Sequence, residues 1–219
     1  MKESTRTRLI EVKKEFHAAM NGMAAASMRQ AGILYHVNFG IELPRLRQIA
    51  GEFEADHELA QELWKEDVRE SQLLATMLQP LDSFTPELAD VWVERITTTE
   101  VAEVASMNVF SLMSGASEKA FEWLAGEESM KRVCGYLVLL HLMRRSTLSE
   151  RSADELMDQA VATLQEEQQG TYLSRLALKT LQSLVTDFPD KKTFLQEVLN
   201  KDEKELPEKM RTYCEYLLD

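Results

Sequence analysis

The chain has 219 residues, of which 44% are apolar, enough for one large domain or for an array of small units sharing a continuous core. No stretch approaches the ~20 consecutive apolar residues of a membrane span, and Met1-Lys2-Glu3-Ser4-Thr5-Arg6 lacks the apolar run of a secretory signal, so a reducing cytoplasm is expected. The net charge of −12 argues against a generally basic surface, but it is unevenly spread: residues 1–50 hold 8 Lys/Arg and 4 Asp/Glu, a local +4, whereas residues 51–149 stand at −10 and residues 150–219 at −6.

Gly and Pro are scarce, 8 and 5, and apolar residues recur at spacings of three and four along nearly the whole chain, which predicts helices throughout. Met20, Met23 and Met28 predict an adaptable apolar hairpin at the N-terminus, its methionines filling core. Helical hairpins then follow near residues 43–65, 67–96, 99–125, 131–166 and 171–199. Trp64 closes a helix, and an apolar run opens the next after a tight corner. Thr85-Pro86-Glu87 offers an N-cap followed by proline at the first helical position, and Ser149-Glu150 and Leu206-Pro207-Glu208 read the same way. Stops fall near Gly51, Gly115, Gly126 and Gly170.

Leu88, Val91, Trp92 and Ile96 form one predicted buried stripe, and Leu173, Leu176, Ala177, Leu181 and Leu184 another. Val133 to Met143 is apolar on nearly all faces, as a central buried helix would be, and Cys134 within it reads as a buried free thiol. Trp64, Trp92 and Trp123 read as core rather than as stacking platforms. About a dozen helices in consecutive antiparallel pairs predict an all-α chain, 1–219 forming a single domain, because such pairs bury their inward stripes by stacking on their neighbours. An irregular helical bundle is the alternative.

Four segments, in order, resemble one family. They are Gly40-Ile41-Glu42-Leu43-Pro44-Arg45-Leu46-Arg47-Gln48-Ile49-Ala50; then Leu63, Trp64, Glu70, Leu74 and Ala75; then Trp123 with Lys131-Arg132-Val133-Cys134-Gly135; and finally Leu173 to Leu184 followed by Asp187-Phe188-Pro189. Together they resemble the HEAT-like-repeat alkylpurine DNA glycosylases, the AlkD-like DNA alkylation repair proteins, over roughly residues 30–200. The resemblance implies stacked helix pairs forming a curved superhelix whose inner helices carry cations that grip DNA phosphates. Carried onto this chain, those cations are Arg45, Arg47, Arg132, Arg175 and Lys179, with Arg69, Arg144 and Arg145 on later helices. Arg69 stands where the family has histidine, Gln72 where it has arginine, and Val133 has lost one arginine of a pair.

The same resemblance implies a shallow aromatic cleft in which an aspartate stabilises the charge developing as an alkylpurine leaves. Its segment aligns with Thr99-Glu100-Val101-Ala102-Glu103. Thr99 replaces one aromatic wall, the other aligns near Thr180, and Glu103 stands at the catalytic position with a side chain one methylene longer. A displacement of about 1 Å can cost ~10²-fold in rate, so ordinary excision is not expected and the enzyme reading leans to no.

Two other readings stay open: a protein-interaction scaffold using the acidic helical surface, and an active glycosylase using Glu103. Partly buried Arg132 needs an anion, whether phosphate, Glu103 or another carboxylate. No cofactor or metal is expected: His17, His36, His57 and His141 lack ligand spacing, the two cysteines form no CxxC, and there is no Gly-rich phosphate loop. The expected partner is duplex DNA or, alternatively, a protein; no membrane is expected.

Overall fold

A computed structural model describes residues 2–166, 168, 170–201, 211, 212, 214 and 216; the Leu206-Pro207-Glu208 cap lies outside them. The described residues are helical, with one isolated parallel bridge between Val37 and Val68. In chain order the helices are α1 (Glu3–Ala19), α2 (Gly22–Gln30), α3 (Leu43–Ala50), α4 (His57–Trp64), α5 (Arg69–Leu78), α6 (Pro86–Val93), α7 (Thr99–Asn108), α8 (Ala116–Leu124), α9 (Ser129–Arg144), α10 (Glu150–Glu166), α11 (Tyr172–Asp187) and α12 (Lys191–Lys201). Among the described residues no helix is long and apolar enough to cross a membrane.

The local chemistry that starts these helices is visible. Asp56, Thr85, Thr98 and Thr171 each accept a hydrogen bond from the backbone N–H three residues on, satisfying a donor that the first turn leaves without a partner. Trp64 is the last residue of α4, as its place before the corner predicts.

The backbone divides into two compact units, Met1–Ala116 and Ser117–Asp219. In the first, α3, α5 and α7 lie side by side, with α4 behind α5 and α1 against α3 and α4. Its core centres on Trp64 and Trp92, stacked at 4.1 Å and 8°, with Phe84 edge-on to Trp92. Burying a large apolar side chain is worth roughly 1.5–3 kcal/mol, and both indoles are buried, so packing outweighs any role as base platforms. In the second unit α11 packs against both α9 and α10. Val133 through Leu140 are buried without interruption, as their apolar run predicts, and Trp123 and the cysteines Cys134 and Cys214, neither in a disulfide, are buried too.

Two expectations are corrected. Val91 is 57% exposed, and the buried stripe of α6 is Ala89, Trp92 and Val93, continued by Ile96: the periodicity was right and the phase one residue off. Met20 and Met23 do not fill core, since Met23 is 84% exposed and Met20 is exposed as well; Met28 is half-buried, its sulfur accepting from Asn38 Nδ2 at 3.2 Å. The nine-residue α2 docks by backbone proximity instead. Gly40, at φ +72°, lies so close to it that a Cβ there would sit 2.1 Å from the Asn21 carbonyl oxygen, and Ala25 is the residue that α2 buries.

Candidate nucleic-acid interface

The segment aligned with the glycosylase motif forms the first turns of α7. Thr99 is exposed at its start, and Glu103 is exposed one turn further along. Thr180 is fully buried in α11 of the other unit, where its hydroxyl oxygen finds no hydrogen-bond partner among the described residues. Neither threonine offers an aromatic face.

Glu100 is the carboxylate that the first unit holds in place. Arg69 grips it with two hydrogen bonds, Nε to Oε2 at 2.7 Å and Nη2 to Oε1 at 2.5 Å, a planar fork matched to a planar acid. The Tyr35 hydroxyl donates to Glu100 Oε2 at 2.6 Å and accepts from Thr98 Oγ1 at 3.0 Å. The remaining Arg69 nitrogen donates at 2.8 Å both to the Ile41 carbonyl and to Glu70 Oε1. Glu70, fully buried, accepts from the backbone N–H groups of Phe39 and Ile41 at 3.0 and 3.2 Å. This network ties the 35–41 segment to the starts of α5 and α7.

Burial works against the Glu100 charge, but the Arg69 and Tyr35 hydrogen bonds and the Arg69 charge outweigh it and hold its carboxyl below the usual range. Burial and the neighbouring Glu100 push the Tyr35 phenol far up. A carboxylate so neutralised has little field left for a positively charged sugar, and Glu103, in solvent, acts through a high dielectric. This network is barely signalled in the sequence. Its signal was Arg69 in a histidine's place, but nothing in the sequence says that its partner lies 31 residues away.

The predicted phosphate contacts fall into both units. In the first, Arg45 donates to Gln48 Oε1 at 3.2 Å and stands 3.9 Å from Glu15. Arg47 is exposed with no ion pair among the described residues, on an open cleft of about 470 Å³ lined also by Thr76, Met77, Met107 and Asn108. In the second unit, Arg132 is 13% exposed, donates to Thr163 Oγ1 at 2.9 Å and lies 3.5 Å from Glu166. Of the partners anticipated for Arg132, the fold supplies a carboxylate. Arg175 sits over the Tyr172 ring at 5.8 Å, and Lys179, one turn on, is exposed and without an ion pair among the described residues.

The charge is sorted by helix. From Ser129 to Arg144, α9 has no Asp or Glu and carries Lys131, Arg132, His141 and Arg144. In α11 the one acid is the last residue, Asp187, and its exposed face presents Arg175 and Lys179. The acids of this region lie just before α9, where Glu128 pairs with Lys131 at 2.8 Å, and on α10, as Glu150, Asp154, Glu155, Asp158 and Glu166. Two adjacent helices are therefore basic in an acidic chain. No group of three His, Cys, Asp or Glu among the described residues is placed to hold a metal ion.

A family model described as DNA alkylation repair enzyme matches residues 12–171. A solved structure, from a new family of proteins related to the HEAT-like repeat DNA glycosylases with affinity for branched DNA structures, is similar at a TM-score of 0.75 and 15% identity, over 88% of this chain and 82% of that one. That likeness shows the fold, a HEAT-like array of helix pairs. No curated protein matches the chain in sequence.

Proposed function

The chain belongs to the DNA alkylation repair enzyme family, and from that premise we propose that it binds duplex DNA through the phosphate backbone while its glycosylase site is degenerate. The observation that carries this reading is the absence of acids from α9 and from all but the end of α11, on a chain of net charge −12. Adjacent packed helices lie ~8–10 Å apart, close to the Debye length of ~8 Å at physiological salt. A phosphate at this face would meet Arg175 and Lys179, which have no ion pair among the described residues, whereas Lys131 and Arg132 are shared with Glu128 at 2.8 Å and Glu166 at 3.5 Å. Arg175 and Lys179 are the principal contacts. Arg132, though held by Glu166, has a guanidinium that a phosphate could share; in the first unit, taken by itself, Arg45 and Arg47 are the candidate contacts.

Phosphate contacts give affinity without base information, so lesion preference would come from DNA shape or deformability. The test is fluorescence anisotropy on duplex DNA, with and without an abasic-site analogue, across a salt series. Binding that weakens between about 50 and 200 mM salt is expected, and Lys179→Ala and Arg175→Ala should each lower the log–log salt slope there by about 1. No binding at about 50 mM salt, or a slope indifferent to both substitutions, would refute the assignment. Excision of alkylated purines is not expected. If it were detected and Glu103→Gln abolished it, the degenerate-site reading would be wrong.

A second reading has one observation in its favour. Met20, Met23, Ile33 and Leu34 are exposed in the N-terminal region, apolar side chains of the kind that a protein partner's apolar face would cover. Loss of partner capture on Met23→Glu, with DNA binding intact, would support it.

A further inference from the structure

The last turns of α3, α5 and α7 meet around the open cleft of about 470 Å³, lined by Arg47 from the first, Thr76 and Met77 from the second, and Met107 and Asn108 from the third. Two of its neutral polar groups are already committed. The Gln79 amide accepts from Gln61 Nε2 at 2.9 Å and donates to the Pro80 carbonyl at 2.8 Å and to His57 Nδ1 at 3.1 Å. The single proton of the Thr76 hydroxyl goes to the Leu73 carbonyl at 2.8 Å, so Thr76 Oγ1 can only accept from Asn108, and it does so from Nδ2 at 2.8 Å. That bond fixes which way the Asn108 amide is turned. Its Oδ1 has no partner among the described residues. No acid lines the cleft among the described residues, in a chain with 37 Asp and Glu; Glu52, Asp82 and Glu103, close along the chain, are exposed and outside its lining.

Arg47 by itself has an ordinary reason to be here, since a cation in the last turn of a helix answers its carbonyl end. An open amide acceptor beside two methionines has no such reason. We propose that the cleft holds one unstacked nucleotide of DNA: Arg47 takes its phosphate, Met77 and Met107 pack against its base, and Asn108 Oδ1 accepts from an amino group on the base edge. The proposal rests on the DNA-binding reading above and adds to it a base site within the first unit. A guanidinium matches phosphate, a thioether sulfur is polarizable and favours contact with an aromatic ring, and an asparagine amide suits the amino edge of adenine. Leu81 and Leu112, 41% and 42% exposed in the short turns after α5 and α7, extend the apolar wall. Drawing a base out of a duplex costs unstacking and unpairing, and the cost is least where the base has no partner, so an unpaired base is the natural occupant. Asn108 is the last residue of α7 and Thr99 the first, ~13 Å away along the helix, so the cleft and the start of the degenerate glycosylase segment lie at opposite ends of α7.

The experiment compares two duplexes at about 50 mM salt, one carrying a single extrahelical adenosine and the other an abasic-site analogue at the same bulge. Both have the same break in the helix, and only the first has a base to place. The full chain is labelled at its methionine methyl groups and followed by NMR, with Met77→Leu and Met107→Leu assigning the two resonances. The ring current of a seated base is expected to shift both methyls with the adenosine bulge and not with the abasic one. Affinity for the adenosine bulge should be roughly 5- to 10-fold tighter, and Asn108→Ala should bring the two affinities together. Should that variant fail to fold, the methyl shifts of the unaltered chain still decide. Equal affinities, or methyls that respond alike to the two duplexes, overturn this proposal and leave the phosphate-backbone reading standing. If neither duplex binds, both readings fall.

Discussion

Arg69 makes the strongest demand of any single side chain. Its guanidinium is 2% exposed and bonds Glu100, Glu70 and the Ile41 carbonyl. Removing one partner of a buried pair leaves the other charge uncompensated, at a cost of about 3–5 kcal/mol, whereas removing both can be nearly neutral. Arg69→Met should therefore lower the urea midpoint sharply, and Arg69→Met combined with Glu70→Gln should recover part of the loss; a single variant within 1 kcal/mol of the parent would show the network to be incidental. The pH behaviour has a definite direction. Because the folded Glu100 carboxyl is held below its ordinary value of 4.5, its stabilising contribution is complete above that pH and is lost as pH falls through the folded value. Glu100→Gln should flatten this acid limb of the stability curve while leaving Tyr35 an acceptor.

At the scale of elements, close backbone approach decides what is tolerated. A Cβ on Gly135 of α9 would sit 2.7 Å from the Ala120 carbonyl oxygen and 2.9 Å from Leu124 Cγ of α8. Alanine is the better helix former by up to ~1 kcal/mol, but a backbone oxygen cannot rotate away, and overpacking of this kind costs about 1–3 kcal/mol. Gly135→Ala should destabilise on balance. Gly22→Ala, where nothing lies within 4 Å, should be neutral or slightly stabilising, both variants being read by thermal unfolding. The contrast also marks what the sequence made legible. Thr85-Pro86 and the Trp64 corner declare helix ends because caps and breakers act locally, and α9 declares its burial by being apolar all round. The phase of α6 and the outward turn of Met23 depend on which neighbour is present, which local spacing does not specify. The candidate site was legible only as a roll of cations. That α9 and α11 lack acids could be stated only once helix boundaries were fixed, and the Arg69–Glu100 pair is a tertiary contact with no local signature.

For the whole molecule, the decisive question is how a chain of −12 could hold a polyanion. At ~0.01 M salt the Debye length is ~30 Å, comparable to a domain, and every carboxylate counts against binding; at 0.15 M it is ~8 Å, and the local cations of α9 and α11 dominate. The two regimes pull the salt dependence in opposite directions. Screening relieves the long-range repulsion as salt is added, while counterion release makes each phosphate contact weaker. A plot of log affinity against log salt should therefore bend: nearly flat or rising below roughly 20 mM, where the net charge governs, and falling steeply between about 50 and 200 mM, where the contacts govern. Lys179→Ala should make the falling limb shallower and leave the low-salt limb present, because one charge hardly changes a total of −12 but removes one phosphate contact. An affinity that rose with salt throughout would mean that global repulsion rules the encounter, and the basic helices would then have to be explained by some other anion.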